Sequence, residues 1–476
     1  MRAIKEYKLY IFFLFLLIAF VLVTDFNGLY GQDSYEYLRY TKCLEGFIKT
    51  GVSPGDYFWP LLYPIAGAIL SFIFSSAFAL QLISVASLIL IAIYLEKIIV
   101  LLYSAYKQKV RLFIFLFLLL SPYVLRGSLV VMSDSLSIFC ITAAWFYGLK
   151  YRSSLSGKHF LAIVLFAAAA IETRYAAFII LLIPTLIVGY VFLRNFKITN
   201  LLFALGIAVL IFLPHFLIRS KAPLAFIHHE WVESWSCSNF FRNQFITSDG
   251  NAQYPLWNIV FSFFNMLHPA FIFAGIVFII AGIKSIFSYL KSPPYLMIAA
   301  TVLLYAFFLA GIPFQNMRFL LLSFPLVLVL VYPGFISIEK RIASKKRVSE
   351  IATVLIAIMQ FGLFYRVFMP FYHDNKVEKQ IANEMLKYSN ATLYTFSIDG
   401  ALKAYGYNGR IINMWDVKLD TVKNDNGPSM VLFNEHAFAE QWKDKNPMLN
   451  WEFLKTKYKL AVIDSLPDNW VLYKVE

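Results

Sequence analysis

Directly after the first apolar run of the chain comes a polar stretch, Gly31-Gln32-Asp33-Ser34-Tyr35-Glu36-Tyr37-Leu38-Arg39-Tyr40. Asp33 and Glu36 stand three apart, so a helix starting near Asp33 brings both carboxylates towards one face. Tyr37 and Tyr40 lie on neighbouring positions. A carboxylate in that setting can take a proton from a hydroxyl and so work as a general base. Asp33 could equally be the N-cap of a helix over Ser34–Ile48, with its oxygens spent on backbone amides.

Three more polar inserts break otherwise apolar sequence. Asp134 lies in Arg126-Gly127-Ser128-Leu129-Val130-Val131-Met132-Ser133-Asp134-Ser135 and opens the next apolar run. It reads either as a second carboxylate facing Asp33, able to hold a cation or an acceptor, or as a helix cap shared with Ser133. Glu172-Thr173-Arg174-Tyr175 falls at a span boundary, where Arg174 could grip a phosphate or merely mark the interface. Gln315-Asn316-Met317-Arg318-Phe319 sits at the outer end of another span. Ionisable groups at membrane depth are functional candidates by default. His268, about three turns beyond Trp257, is read as a helix-packing hydrogen-bond partner.

The elements that carry these residues belong to a membrane protein. The chain is 60% hydrophobic and 18% aromatic, with 48 Phe among 476 residues, and its mean hydropathy is +0.66. Apolar runs of bilayer-crossing length recur throughout. A net charge of +14 could suggest nucleic acid, but the basic residues sit in short loops between apolar runs, which excludes a continuous nucleic-acid-binding face. Arg2, Lys5 and Lys8 precede the first run, and Thr24-Asp25-Phe26-Asn27 is a poor cleavage site, so Leu9–Thr24 reads as an uncleaved anchor.

The further apolar segments are Phe58–Ser75, Ala77–Tyr103, Leu112–Leu125, Ser135–Leu149, Phe160–Ile171, Tyr175–Leu193, Ile198–Ile218, Trp257–Ile283, Tyr295–Ile312, Phe319–Ile336 and Ile351–Met369. The basic loops around Lys107/Lys109/Arg111, Lys150/Arg152/Lys158, Arg194/Lys197, Lys284/Lys291 and Lys340–Arg347 all fall on the cytoplasmic side only if Phe58–Tyr103 makes one net crossing. Phe58–Ser75, which opens with Trp59, Pro60, Tyr63 and Pro64, is therefore predicted to lie in the interface or re-enter. The expected fold is an all-α polytopic membrane protein of about eleven transmembrane helices (ten to twelve), with a large first external loop. The four polar inserts then share the external face.

From Tyr372 the chain turns polar and alternates element types. Helical spacing over Lys376–Tyr388 is followed by strand-like runs at Thr392–Ile398, Arg410–Met414, Met430–Phe433, Leu460–Ile463 and Val471–Val475. Helical stretches at Ala401–Tyr405, Ala437–Trp442 and Trp451–Tyr458 lie between them. This pattern predicts a small α/β domain over 371–476, outside the membrane, after a transmembrane domain over 1–370. Of the three cysteines, Cys140 is inside a span, while Cys43 and Cys237 both face outward and could pair or stay unpaired.

The first-loop run Gly31–Tyr37, the onward Thr50-Gly51-Val52-Ser53-Pro54, and Phe58-Trp59-Pro60-Leu61-Leu62-Tyr63-Pro64 resemble the acidic first loop of C-type glycosyltransferases. That superfamily includes dolichyl-phosphate-mannose protein mannosyltransferases and bacterial aminoarabinose transferases. Ser121-Pro122 followed by Ser133-Asp134-Ser135-Leu136 resembles its second acidic site, and Arg318-Phe319-Leu320 through Pro325 its late Arg-aromatic segment. The resemblance covers the membrane part to about Pro370. Ser34 stands where the mannosyltransferases carry the second residue of an Asp-Glu pair, and Leu62-Tyr63-Pro64 lacks the basic residue of their His-Pro-Pro or Lys-Pro-Pro element.

The resemblance implies a polyprenyl-phosphate sugar donor, a glycan, lipid or protein acceptor, and no nucleic acid. It implies a single inverting displacement at the periplasmic face of a cell inner membrane, with the N-terminus cytoplasmic. Phosphate is a good leaving group, so the acceptor hydroxyl needs a base more than the donor needs an acid. Asp33 is expected as that base and Asp134 as an acceptor-side or metal-side helper. Arg39, Arg126, Arg174 and Arg318 are candidate phosphate clamps. Tyr37, Trp59 and Tyr63 would line the sugar site, with Glu36 and Glu172 among the substrate-binding residues. No cofactor is required; Asp33 and Asp134 could share a divalent cation through oxygen ligands, while no His/Cys cluster suggests zinc. The external loop Arg219–Pro255, with Trp231, Trp235, Phe240 and Phe241, is a candidate cover for the site or an aromatic belt. A polytopic transporter or lipid flippase is the competing class. The absence of an internal repeat, and polar groups at the outer interface rather than the midplane, count against it.

Overall fold

A computed structural model describes residues 7–104, 107–219, 228–267, 272–342, 345–419 and 428–476. The basic N-terminal residues Arg2 and Lys5, and His268, lie outside the described residues. The chain divides into two compact units. The first comprises Met1–Asn27, Tyr40–Arg242 and Leu256–Phe368; the second comprises Gly28–Arg39, Asn243–Pro255 and Met369–Glu476.

The first unit is helical. Among the described residues, five helices are long and apolar enough to cross a membrane: Ser76–Tyr103, Ala177–Arg194, Ile198–Ile218, Pro293–Gly311 and Lys346–Tyr388. A sixth is counted if the bent pair Lys107–Leu119 and Pro122–Leu129 is one span. The Ile198–Ile218 helix leaves Leu202, Phe203, Leu205, Val209 and Leu210 exposed. Apolar surface on that scale is costly in water and costs nothing against lipid tails. The Lys346–Met385 helix has 40 residues, about 60 Å at 1.5 Å per residue, twice a hydrocarbon core, so it must leave the bilayer.

Where the expected segments carry breaks, the chain chemistry explains them. Leu112–Leu125 is not one straight helix. It passes through a π turn at Phe115–Leu119 and bends by 68° into Pro122–Leu129, because Pro122 has no N–H to donate and forces Ser121 into an extended conformation. Phe58–Ser75 supplies one nine-residue helix, Leu62–Leu70, about 14 Å long and too short to cross by itself. Trp257–Ile283 divides into Asn258–Met266 and Ile272–Tyr289. The Ile272–Tyr289 helix packs on Phe324–Ile342 through two glycines: a methyl at Gly282 would sit 2.6 Å from the Gly334 Cα. Small residues there let the two backbones meet closely. In the Ser76–Tyr103 helix, buried Glu96 accepts from Tyr10 (2.8 Å) and from Arg111 (3.0 Å), so its charge is matched.

The second unit holds a five-stranded sheet in the order β4-β3-β5-β7-β6, with β3 at Thr392–Thr395, β4 at Ile411–Asn413, β5 at Ser429–Phe433, β6 at Leu460–Leu466 and β7 at Trp470–Val475. β3 pairs in parallel with β4 and β5, while β7 runs antiparallel to both β5 and β6. All five residues of β5 are buried, as expected of a strand covered on both faces. Tyr394, Phe396, Met414, Val431, Phe433, Trp451 and Leu454 form the core. The five strand-like runs read from the sequence all appear, each within a few residues. Two earlier segments of the chain join this unit. One is the hairpin β1 (Gln244–Thr247) and β2 (Gly250–Gln253), whose Asn251 amide donates to the Gln441 carbonyl at 2.6 Å. The other is Gly28–Arg39. None of the three cysteines forms a disulfide.

Candidate active site

In the first unit, Asp134 is gripped by two arginines. Arg174 donates to one carboxylate oxygen, and Arg318 donates to the other through Nε at 3.2 Å and its second terminal nitrogen at 3.1 Å. The Asp134 side chain is only 3% exposed. Each residue is put there by a local signal. Asp134 is the first residue of the Asp134–Ser154 helix, so it sits where the amide dipoles favour a negative charge. The Ser133 side chain does not cap this helix. Asn316 does cap Met317–Leu321, its Oδ1 accepting from the Arg318 amide at 2.9 Å, which fixes Arg318 in the first turn. Arg174 follows the tight turn that ends Gly157–Ile171 and lies 5.2 Å over the Phe319 ring.

Burial pushes the Asp134 carboxyl up, but Arg174 and Arg318 together outweigh it and hold the group below its ordinary range. A carboxylate so held is a weak base. Its chemistry is to orient two guanidinium groups. Two guanidinium groups on one carboxylate form a cationic fork of the kind that suits a tetrahedral oxyanion.

A second cluster adjoins it along the chain. Glu172 and His215 are both buried, with Glu172 Oε1 and His215 Nδ1 3.2 Å apart. The Glu172 carbonyl accepts from the Leu62 amide at 2.8 Å and anchors the start of the Leu62–Leu70 helix. One turn beyond His215, buried Arg219 donates to the Trp59 carbonyl at 3.3 Å and lies 5.4 Å over the Phe58 ring. Its Nε–H has no acceptor among the described residues. His215 and Arg219 are not among the residues singled out from the sequence. Their i, i+4 spacing at the outer end of an apolar span is the signal that could have found them. Trp231 stacks on Phe314 at 4.6 Å and meets Phe319 edge-on at 5.7 Å.

In the second unit, the acidic helix runs from Gly31 into the first unit, ending at Thr50. It begins two residues before Asp33, so Asp33 stands inside the first turn rather than preceding the helix as its cap. Ser34 Oγ turns back to the Tyr30 carbonyl at 2.6 Å. Glu36 is salt-bridged to Arg39, with Arg39 Nε 2.6 Å from its carboxylate. Tyr37 is buried. Of the other expected residues, Arg126 lies 5.1 Å over the Tyr123 ring and Trp59 packs edge-on against Tyr57. Tyr63 is fully buried, with its hydroxyl on the Leu80 carbonyl (2.9 Å) and Ser84 (2.8 Å). It is thus a packing residue between the Leu62–Leu70 and Ser76–Tyr103 helices, not part of an open surface. Among the described residues, no three His, Cys, Asp or Glu side chains gather as a metal site.

No family model matches the chain, and no curated protein does. Solved structures do. ArnT from Cupriavidus metallidurans, solved bound to undecaprenyl phosphate, superposes with a TM-score of 0.61 at 13% identity, over 96% of this chain and 97% of that one. The Archaeoglobus fulgidus oligosaccharyltransferase AglB, solved with an inhibitory peptide and a dolichol-phosphate, gives a TM-score of 0.53 at 12% identity, over 99% of this chain and 74% of that one. An Archaeoglobus fulgidus oligosaccharyltransferase tethered to an acceptor peptide gives 0.51 at 12% identity, over 99% of this chain and 74% of that one. At these identities the likeness is one of fold: the chain shares the fold of ArnT and of the archaeal oligosaccharyltransferase.

Proposed function

We propose that the chain is a membrane glycosyltransferase that moves a sugar from a polyprenyl-phosphate donor to an acceptor hydroxyl at the external face, with inversion at the anomeric carbon. The observation that carries this reading is the Asp134–Arg174–Arg318 centre: a buried carboxylate holding two guanidinium groups side by side. Planar arginine forks suit a phosphate, and a phosphate is what leaves in this reaction. The fold supports it, since both structural neighbours were solved with a lipid phosphate.

In this reading the acceptor O–H gives its proton to Asp33 while its oxygen bonds to the anomeric carbon. The bond from that carbon to the phosphate oxygen breaks, and polyprenyl phosphate departs onto Arg174 and Arg318, with Arg219 as a further cation. Asp134 keeps the arginine pair in place. Glu36, Tyr37, Arg39, Trp59, Arg126 and Glu172 serve the sugar and acceptor. No cofactor enters; a divalent cation at Asp134 would have to displace a guanidinium group. About eleven spans, a cytoplasmic N-terminus and a periplasmic C-terminal domain in an inner membrane complete the proposal. The transferred group is a hexose or a pentose, and the acceptor a glycan, lipid or protein.

Binding of the product lipid tests the phosphate site. Polyprenyl phosphate at a hundred times its Kd should stabilise the folded chain by about 2.7 kcal/mol, seen as a raised thermal midpoint. Arg318→Leu should abolish that rise. An equal rise in the variant would remove Arg318 from the site, and a wild type that ignores the lipid phosphate would count against the whole reading.

A further inference from the structure

The second unit holds the start of the acidic helix through ties that no local sequence pattern announces. Tyr35, buried, donates its hydroxyl to Glu378 at 2.7 Å. Gln32 Nε2 donates to Asp399 at 2.8 Å, and Asn375 Nδ2 to the Leu29 carbonyl at 2.7 Å. Gly400 lets the Asp399–Ala404 helix seat against the same residues, since a methyl there would lie 2.8 Å from Tyr35 Cβ. Tyr35 falls two residues after Asp33.

We infer that Glu378 is a positioning residue for Asp33: by accepting the Tyr35 hydroxyl its carboxyl ties the start of the Gly31–Thr50 helix to the Lys346–Met385 helix, so the C-terminal unit sets where the proposed base points. The inference rests on the reading of Asp33 as the base. It gives the C-terminal unit a task in the reaction that does not require it to touch substrate. A base displaced by about 1 Å can lose roughly 10²-fold in rate.

The ionisable groups around Glu378 give the tie a readout. From the acidic helix Tyr35 faces it; on its own helix Asp374 stands one turn back, acted on in turn by His373 and Asp468. The Asp399–Ala404 side presents Tyr405 to Tyr35, and Asp399 is itself 4.0 Å from Lys403. Burial is the main cause that lifts the Glu378 carboxyl, with Asp374 adding to it and the Tyr35 bond opposing it, to about 7. A raised carboxyl favours the folded state fully below its unfolded value, and that contribution is lost as pH rises through the folded one. Order in the 29–39 segment should therefore weaken as pH rises from about 4.5 to about 7 and level off above that.

Hydrogen exchange on the full-length protein in lipid nanodiscs tests this without any transfer reaction. Protection of the 29–39 segment should fall about tenfold or more in Glu378→Ala, while the Asp134–Ser154 helix keeps its wild-type protection. Glu378→Gln should restore most of it and remove its pH dependence. Transfer by Glu378→Ala should drop about 10²-fold, in kcat. Wild-type protection of 29–39 in the Ala variant would overturn the inference. If that variant loosens everywhere, Tyr35→Phe decides: local loosening upholds the tie and unchanged protection ends it. Local loosening in a chain that transfers no sugar would leave the tie standing and bring down the assignment of function instead.

Discussion

Asp33→Asn should transfer sugar roughly 10²–10⁴-fold more slowly than wild type, with unchanged expression and thermal midpoint. That range is what a positioned general base contributes. The substitution keeps shape and hydrogen-bonding capacity but removes the group that takes the proton. Asp33 suits the role better than Asp134 for a physical reason. Asp134 has an arginine on each oxygen and is held in its ionised form, so it has little tendency to accept a proton. Asp33 stands in the first helical turn, half-exposed, beside a Glu36 whose charge goes to Arg39. The loss should appear in kcat, because the base acts on the bond-making step rather than on donor affinity. Steady-state kinetics on wild type and Asp33→Asn checks this.

Asp134→Ala should fail differently. Removing one partner of a buried charge cluster leaves the others uncompensated, at a cost of about 3–5 kcal/mol. Here two guanidinium groups are stranded together, so a lower thermal midpoint and lost transfer should come as one. The double variant Asp134→Leu/Arg318→Leu separates the causes. With one of the two stranded charges also gone, part of the stability should return, while Arg174 still lacks its carboxylate. Transfer should not return, because the phosphate then has lost its fork. A double variant that regained both would make the cluster purely structural. The depressed Asp134 carboxyl also sets a sign for pH. Its contribution is present above the unfolded carboxyl value and is lost only as pH falls through the lower folded one, so it is constant across the neutral range.

Much of this was legible in the chain because the signals are local. Alternating and helical periodicities mark the five C-terminal strands and the helices between them. The bend at Pro122 is written in Ser121-Pro122, yet the hydropathy of Leu112–Leu125 averages over it. Asp134, Arg174 and Arg318 each stand out as charges at the edges of apolar runs. That two of them close on the third was not visible, because 40 and 184 residues separate the partners. The same holds for the acidic helix. Its membership of the C-terminal unit rests on pairs such as Gln32 with Asp399 and Tyr35 with Glu378, which leave no trace in local composition. Tyr63 misled in the other direction. An aromatic beside prolines at a membrane edge fits a sugar platform by type, and only burial shows that its hydroxyl serves Leu80 and Ser84.

The most direct test of the central proposal is product analysis with the purified wild-type chain in a membrane that supplies a pool of polyprenyl-phosphate sugars. The account predicts that polyprenyl phosphate accumulates in step with sugar gained by an acceptor, and that Asp33→Asn, folded and lipid-embedded alike, shows neither. If the folded wild type released no lipid phosphate from any such donor, or if it moved the intact donor across the bilayer without cleaving it, the transferase reading would be contradicted and a transporter would take its place.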